Sequence, residues 1–163
     1  MRNFAILILA ALALAACHPK PSPKAEASQA QAFLAKNATK AGVHVLPDGL
    51  QYEVVSSGPA AGEHPKLGDE VKVNYEGKLV DGTVFDSTYE RGEPAAMPLK
   101  GLIPAWEEAL PLMRPGDVWM LYVPPKLGYG DKGAGDAIPP NAALIFKIEL
   151  IDFLPSAGRV ANG

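Results

Sequence analysis

Residues Val71–Thr88 run VKVNYEGKLVDGTVFDST, and the fold follows from how this stretch is read. Val71, Val73, Tyr75 and Leu79 alternate with Lys72, Asn74, Glu76 and Lys78, and Glu70 extends the polar set by one step. A period of two with β-branched and aromatic residues on the apolar side predicts a half-buried strand, because successive strand side chains point to opposite faces. Asp81-Gly82 then predicts a turn, and Thr83-Val84-Phe85 predicts the returning strand.

Outward from this hairpin, strand signals dominate. Val43–Leu46 and Leu50–Val55 flank Pro47-Asp48-Gly49, which predicts a second hairpin. Val118–Val123 and Leu144–Leu154 predict two further strands. Within the sheet region the helical stretch is Ala105–Met113, with Pro104 suited to its first turn. The expected architecture is therefore α+β: a twisted antiparallel sheet wrapped around one short helix. The segment Pro124–Ala143 has no periodicity and is rich in glycine and proline. A loop of that length between two strands is more often functional than idle.

The N-terminal part reads differently. Arg2 followed by an apolar run from Phe4 to Ala16 predicts a signal peptide over residues 1–16, the run being too short for a membrane-spanning helix. The run ends Leu14-Ala15-Ala16-Cys17, which resembles the lipobox of bacterial lipoproteins. That resemblance implies lipid attachment at Cys17 and a membrane partner. Pro19, Pro21 and Pro23 predict a stiff tether over residues 17–24. The Ala-, Gln- and Lys-rich segment 25–42 predicts a short helix stopped by Gly42.

Composition excludes several classes. The net charge is −3 with no basic run, which argues against a nucleic-acid partner. Cys17 is the single cysteine, and His18, His44 and His64 lack ligand spacing, so neither a disulfide nor a metal site is expected. Gly128–Gly133 matches a dinucleotide-binding glycine pattern, but Gly135, Pro139 and Pro140 prevent the helix that must follow it. No cofactor is expected. Glu107 and Glu108 are adjacent on a helix and read as a solvated face, not as an acid–base dyad.

Three blocks carry a family resemblance: Val71–Thr88, Pro94–Met113 (PAAMPLKGLIPAWEEALPLM) and Tyr129–Phe146, the last running into AIPPNAALIF. In this order and spacing they resemble FKBP-type peptidyl-prolyl cis–trans isomerases, most of all the bacterial macrophage infectivity potentiator-like members. Taken singly, Trp106, Phe85 and Phe146 would read as plain core. The resemblance implies instead a pocket with Trp106 as floor, Tyr75, Phe85 and Phe146 as walls, and Met97, Leu102, Ile103 and Ile138 completing the substrate surface. It implies roles in turnover for Phe85, Asp86 and Tyr129. It further implies an isomerase domain over residues 43–155 with a disordered tail over 156–163, acting as a monomer in the cell envelope on proline-containing exported polypeptides. Macrolide inhibitors are among the ligands it implies. The rival reading is a proline-peptide binding chaperone or adhesin with little turnover. The chain departs from the family pattern at Ala95, Ala105 and Leu127.

Overall fold

The computed structural model describes residues 21–157. The expected signal peptide, the lipid-bearing Cys17 and residues 158–163 lie outside the described residues. Among the described residues the first element is helix α1 (Pro23–Asn37), followed by strands β1 (Val43–Val45), β2 (Gln51–Ser56), β3 (Glu70–Leu79) and β4 (Val84–Ser87). A single-turn helix α2 (Thr88–Arg91) and strand β5 (Ala95–Pro98) come next. Helix α3 (Pro104–Ala109) runs into a 3-10 turn at Leu110–Leu112, and strands β6 (Val118–Val123) and β7 (Leu144–Leu154) complete the domain.

The sheet is antiparallel with strand order β1-β2-β6-β7-β3-β4, and β5 also pairs with β3. Strand β3 is its centre. Along one edge it pairs with β7 over its whole length, from Glu70↔Leu154 to Leu79↔Leu144. Its other edge is divided: β5 covers Glu70–Val73 and β4 covers Glu76–Lys78. The gap between them is filled by a side chain. The Tyr75 amide donates to Thr88 Oγ1 at 2.8 Å, and that hydroxyl lies 3.2 Å from the Tyr75 carbonyl oxygen. Main-chain groups that would otherwise be buried without partners are satisfied there. Register shifts at Val54/Ser56, Lys72/Val73 and Gly77/Lys78 add twist, and the sheet curls around α3.

The core lies between sheet and helix. Ala105, Trp106, Ala109, Leu110 and Met113 pack against Val71, Val73, Leu121, Leu144, Ile148 and Leu150. The alternation expected for β3 is present, with Val71, Val73, Tyr75 and Gly77 buried. The hairpin at Pro47-Asp48-Gly49 is closed by the Leu46 amide donating to the Leu50 carbonyl at 2.8 Å, with Gly49 at φ 95°.

Three boundaries differ from expectation. Pro23 and Lys24 are not tether but the first turn of α1, because Ser22 caps the helix and a proline at its start has no needed N–H to lose. The helix also ends before Gly42, at Asn37. Its C-terminal carbonyl at Leu34 instead accepts a hydrogen bond from Gln51 Nε2 at 2.9 Å, while Asn37 Nδ2 donates to Gln51 Oε1 at 2.9 Å. This buried pairing, with Phe33 against Tyr122 at 6.1 Å between ring centroids, docks α1 on the outer face of β2 and β6. Ser156, placed in the tail by sequence, is tied back by its amide to Asp69 Oδ1 at 2.9 Å. Sequence reasoning also passed over α2, although Ser87-Thr88-Tyr89-Glu90 is a capping-box pattern and Ser87 Oγ accepts from the Glu90 amide.

Candidate functional site

The start of α3 places Trp106. Pro104 occupies the first helical position and Ile103 the cap. With φ preset by proline and no side-chain cap, the turn directs the Trp106 ring inward, where the residue is 5% exposed. Tyr75 stands edge-on to that ring at 5.0 Å and 87°, and Phe146 at 5.4 Å and 81°. Phe85 meets Phe146 edge-on at 5.6 Å and 86°. These are the geometries that aromatic quadrupoles favour, so the four rings hold one another in place. Tyr75 comes from β3, Phe85 from β4 and Phe146 from β7, and their convergence follows from the register around Gly77, which faces Phe146 on one side and Asp86 on the other.

The rings form one wall of a cavity of about 290 Å³. All ten site residues named from sequence line it: Tyr75, Phe85, Asp86, Met97, Leu102, Ile103, Trp106, Tyr129, Ile138 and Phe146. Met97 enters from β5, while Tyr129 and Ile138 enter from the long loop after β6. That loop is ordered by its own main chain. Ala134 and Ile138 exchange both amide hydrogen bonds, at 2.9 and 3.0 Å, and the Asn141 amide donates to Gly130 O at 2.8 Å. Ala134 and Ala137 also line the cavity and were not expected, since a small apolar residue in an aperiodic loop carries no sequence signal.

At the mouth, Asp86 is fully engaged. The Tyr75 hydroxyl donates to Asp86 Oδ2 and Arg91 Nη1 donates to Asp86 Oδ1. Arg91 Nη2 also lies 3.4 Å from the Tyr75 hydroxyl, and its guanidinium sits 5.7 Å from the Tyr75 ring centroid. Burial pushes the Asp86 carboxyl up, but the Tyr75 hydroxyl and the Arg91 guanidinium outweigh it and hold it below the usual carboxylate range. Burial and the Asp86 hydrogen bond raise Tyr75. Asp86 is thus a fixed anion that orients Tyr75 and has no tendency to take up a proton near neutrality. Arg91 was missed from sequence because its position depends on the α2 turn.

Two donors define the cavity chemistry available: the Ile103 amide and the Tyr129 hydroxyl have no acceptor among the described residues. The Trp106 indole Nε1 also lacks one, but that atom is buried and not open to a ligand. No carboxylate with a raised proton affinity lines the space. The arrangement can hold an apolar ring on Trp106 and donate hydrogen bonds to carbonyl groups around it.

Glu107 and Glu108, expected as a solvated face, are half-buried and engaged outside the cavity. Glu107 Oε1 accepts the Gly101 amide at 2.6 Å, bracing the turn before α3. Glu108 meets Asp48 of the β1–β2 turn; burial and that hydrogen bond push Glu108 up to about 7. A carboxyl raised above its unfolded value of 4.5 contributes stability that is complete below that value and is lost as pH rises through about 7. The urea midpoint of the protein is therefore expected to fall between about pH 5 and about pH 8, and Glu108→Gln should flatten that fall. An equal fall in the variant would show that the pair is not responsible.

Comparison with known proteins matches this geometry. The family model described as FKBP-type peptidyl-prolyl cis-trans isomerase matches residues 61–151, and the model for the domain amino-terminal to it matches residues 13–54. The chain is 55% identical over 125 residues to the peptidyl-prolyl cis-trans isomerase Mip of Coxiella burnetii, covering 77% of this chain and 54% of that protein. It is 47% identical over 130 residues to the outer membrane protein MIP of Legionella longbeachae, covering 80% and 55%. A crystal structure of a peptidyl-prolyl cis-trans isomerase from Pseudomonas syringae superposes with TM-score 0.76 at 33% identity, covering 85% of this chain and 100% of that one. The chain spans about half the length of the curated relatives it matches. Every residue lining the cavity and the whole of α3 fall within the matched 61–151, more than half of the 163 residues, and on that ground the chain belongs to the FKBP-type peptidyl-prolyl cis-trans isomerase family.

Proposed function

We propose that this protein is a peptidyl-prolyl cis–trans isomerase that acts on exported polypeptides without covalent or acid–base chemistry. The observation that carries this reading is a cavity walled by four mutually braced aromatic rings, with hydrogen-bond donors and no proton-accepting dyad. Resonance gives the peptide bond a rotation barrier of ~18–20 kcal/mol. For a Xaa-Pro bond both isomers are populated, but they exchange over tens to hundreds of seconds.

The transition state is a twisted amide that has lost resonance, and its carbonyl dipole is smaller than that of the planar form. An apolar, water-poor cavity therefore disfavours the planar ground state relative to the twisted one. The proline ring would rest on Trp106, with Phe85, Phe146 and Tyr75 as walls and Met97, Leu102 and Ile138 closing the rest. The Ile103 amide and the Tyr129 hydroxyl would donate to carbonyl oxygens of the bound chain, fixing its orientation. Asp86, satisfied by Tyr75 and Arg91, acts as a positioning residue for the Tyr75 wall. The test is a proline-limited refolding reaction with and without the protein. Acceleration at catalytic ratios is expected; binding of proline peptides with no acceleration would favour the chaperone or adhesin reading.

We further propose that Cys17 carries the lipid that holds the domain in the cell envelope. The support is the apolar run ending Leu14-Ala15-Ala16-Cys17 and the likeness to a relative named as an outer membrane protein. Cys17→Ser is expected to move the protein from the membrane fraction to the soluble fraction. A variant that still sediments with membranes as the wild type does would overturn the anchor.

A further inference from the structure

Beside the aromatic cavity runs a groove of about 420 Å³ between the N-terminal helix and the β3–β4 hairpin. The two spaces share Phe85 and Ala137 and so adjoin at those residues. We propose that this groove is a second substrate subsite, which binds a lysine or arginine side chain of the polypeptide whose proline occupies the cavity. The inference rests on the isomerase reading and deepens it by naming a sequence preference.

Glu26 carries the argument. It lies in the first turn of α1, is 7% exposed, and lines the groove. Its carboxyl has no hydrogen-bond or ion-pair partner among the described residues. Burying an unpartnered carboxylate is costly, and a cation brought to it offsets that cost. Burial, and next the charge of Asp81, raise its proton affinity. Asp81 contributes from the opposite wall, with its Oδ1 held by the Thr83 amide at 2.9 Å. No lysine or arginine is among the described lining residues. Leu79 and Val84 offer apolar surface for the methylene stem of a basic side chain. An extended chain advances ~3.3–3.6 Å per residue, so a basic residue within a few positions of the proline can span the Phe85–Ala137 boundary.

The experiment uses the full mature chain and matched Xaa-Pro peptides carrying Lys, Gln or Glu at successive positions on either side of the proline. Isomerisation gives kcat/KM, and fluorescence anisotropy gives binding of the same peptides. At one position or more, Lys is expected to exceed Gln by about threefold or more at low salt, with the advantage shrinking as salt rises. Glu26→Gln and Asp81→Asn should each reduce that Lys-to-Gln ratio, with circular dichroism confirming that α1 remains folded. Equal ratios in wild type and both variants would overturn the subsite. A lysine preference that emerges only in Lys20→Ser would assign the groove to this chain's own leading segment and overturn it equally. Binding preference without turnover would instead count against the isomerase reading and leave the subsite standing.

Discussion

Phe85→Ala is expected to lower kcat/KM for an Xaa-Pro peptide by an order of magnitude or more while the domain stays folded. Phe85 is half-buried at the cavity rim, so truncation exposes little of the main core. It removes an aromatic wall of the cavity and releases the edge-on contact with Phe146 at 5.6 Å. The variant loses apolar surface from the cavity wall and admits water there. A loss of ~1.4 kcal/mol in transition-state stabilisation is tenfold in rate. The internal control is Tyr129→Phe, which deletes one hydroxyl and keeps the ring, and which should cost less. The measurement is the cis-to-trans rate of the peptide in parallel with circular dichroism. A folded Phe85→Ala protein with full activity would remove the aromatic cavity as the seat of turnover.

Gly77→Ala is expected to be at least as damaging to activity, and to cost stability as well. A methyl group at residue 77 would lie 2.6 Å from two atoms of the Phe85 ring and 2.8 Å from the Phe146 ring. The backbone cannot move to relieve this, because residue 77 is paired with Phe146 on one edge and Asp86 on the other. Both rings must shift, and with them the Trp106 contact that Phe146 makes at 5.4 Å. Overpacking of this kind costs ~1–3 kcal/mol, read from the urea midpoint at constant m-value. The double variant Gly77→Ala, Phe85→Ala should be less destabilised than the two single effects added together, since the truncated side chain vacates the space the new methyl needs. Strict additivity, or a Gly77→Ala protein with wild-type stability and turnover, would show that this close approach is not a constraint.

The strand pattern was legible because period-two alternation is a local property. Val71, Val73 and Tyr75 face the core by the geometry of any half-buried strand. Aromatic and aliphatic site residues were legible through the resemblance of three spaced blocks, and they converge on one cavity. The same alternation skips Gly77, and nothing local says that its missing side chain is space taken by two rings from other strands.

What the sequence determined by itself, then, was the period of the strands, the turns that join them, and the residue types that can build an apolar cavity. The tertiary structure decided which polar groups meet. Arg91 reaches Asp86 and Tyr75 only because one turn of α2 fills the gap between β4 and β5. Glu108 meets Asp48, and Glu26 comes to line a groove with Asp81, across 60 and 55 positions of sequence respectively. Backbone periodicity is set by neighbours along the chain, whereas the burial and partners of a charged group are set by whichever elements the sheet and helix packing bring against it.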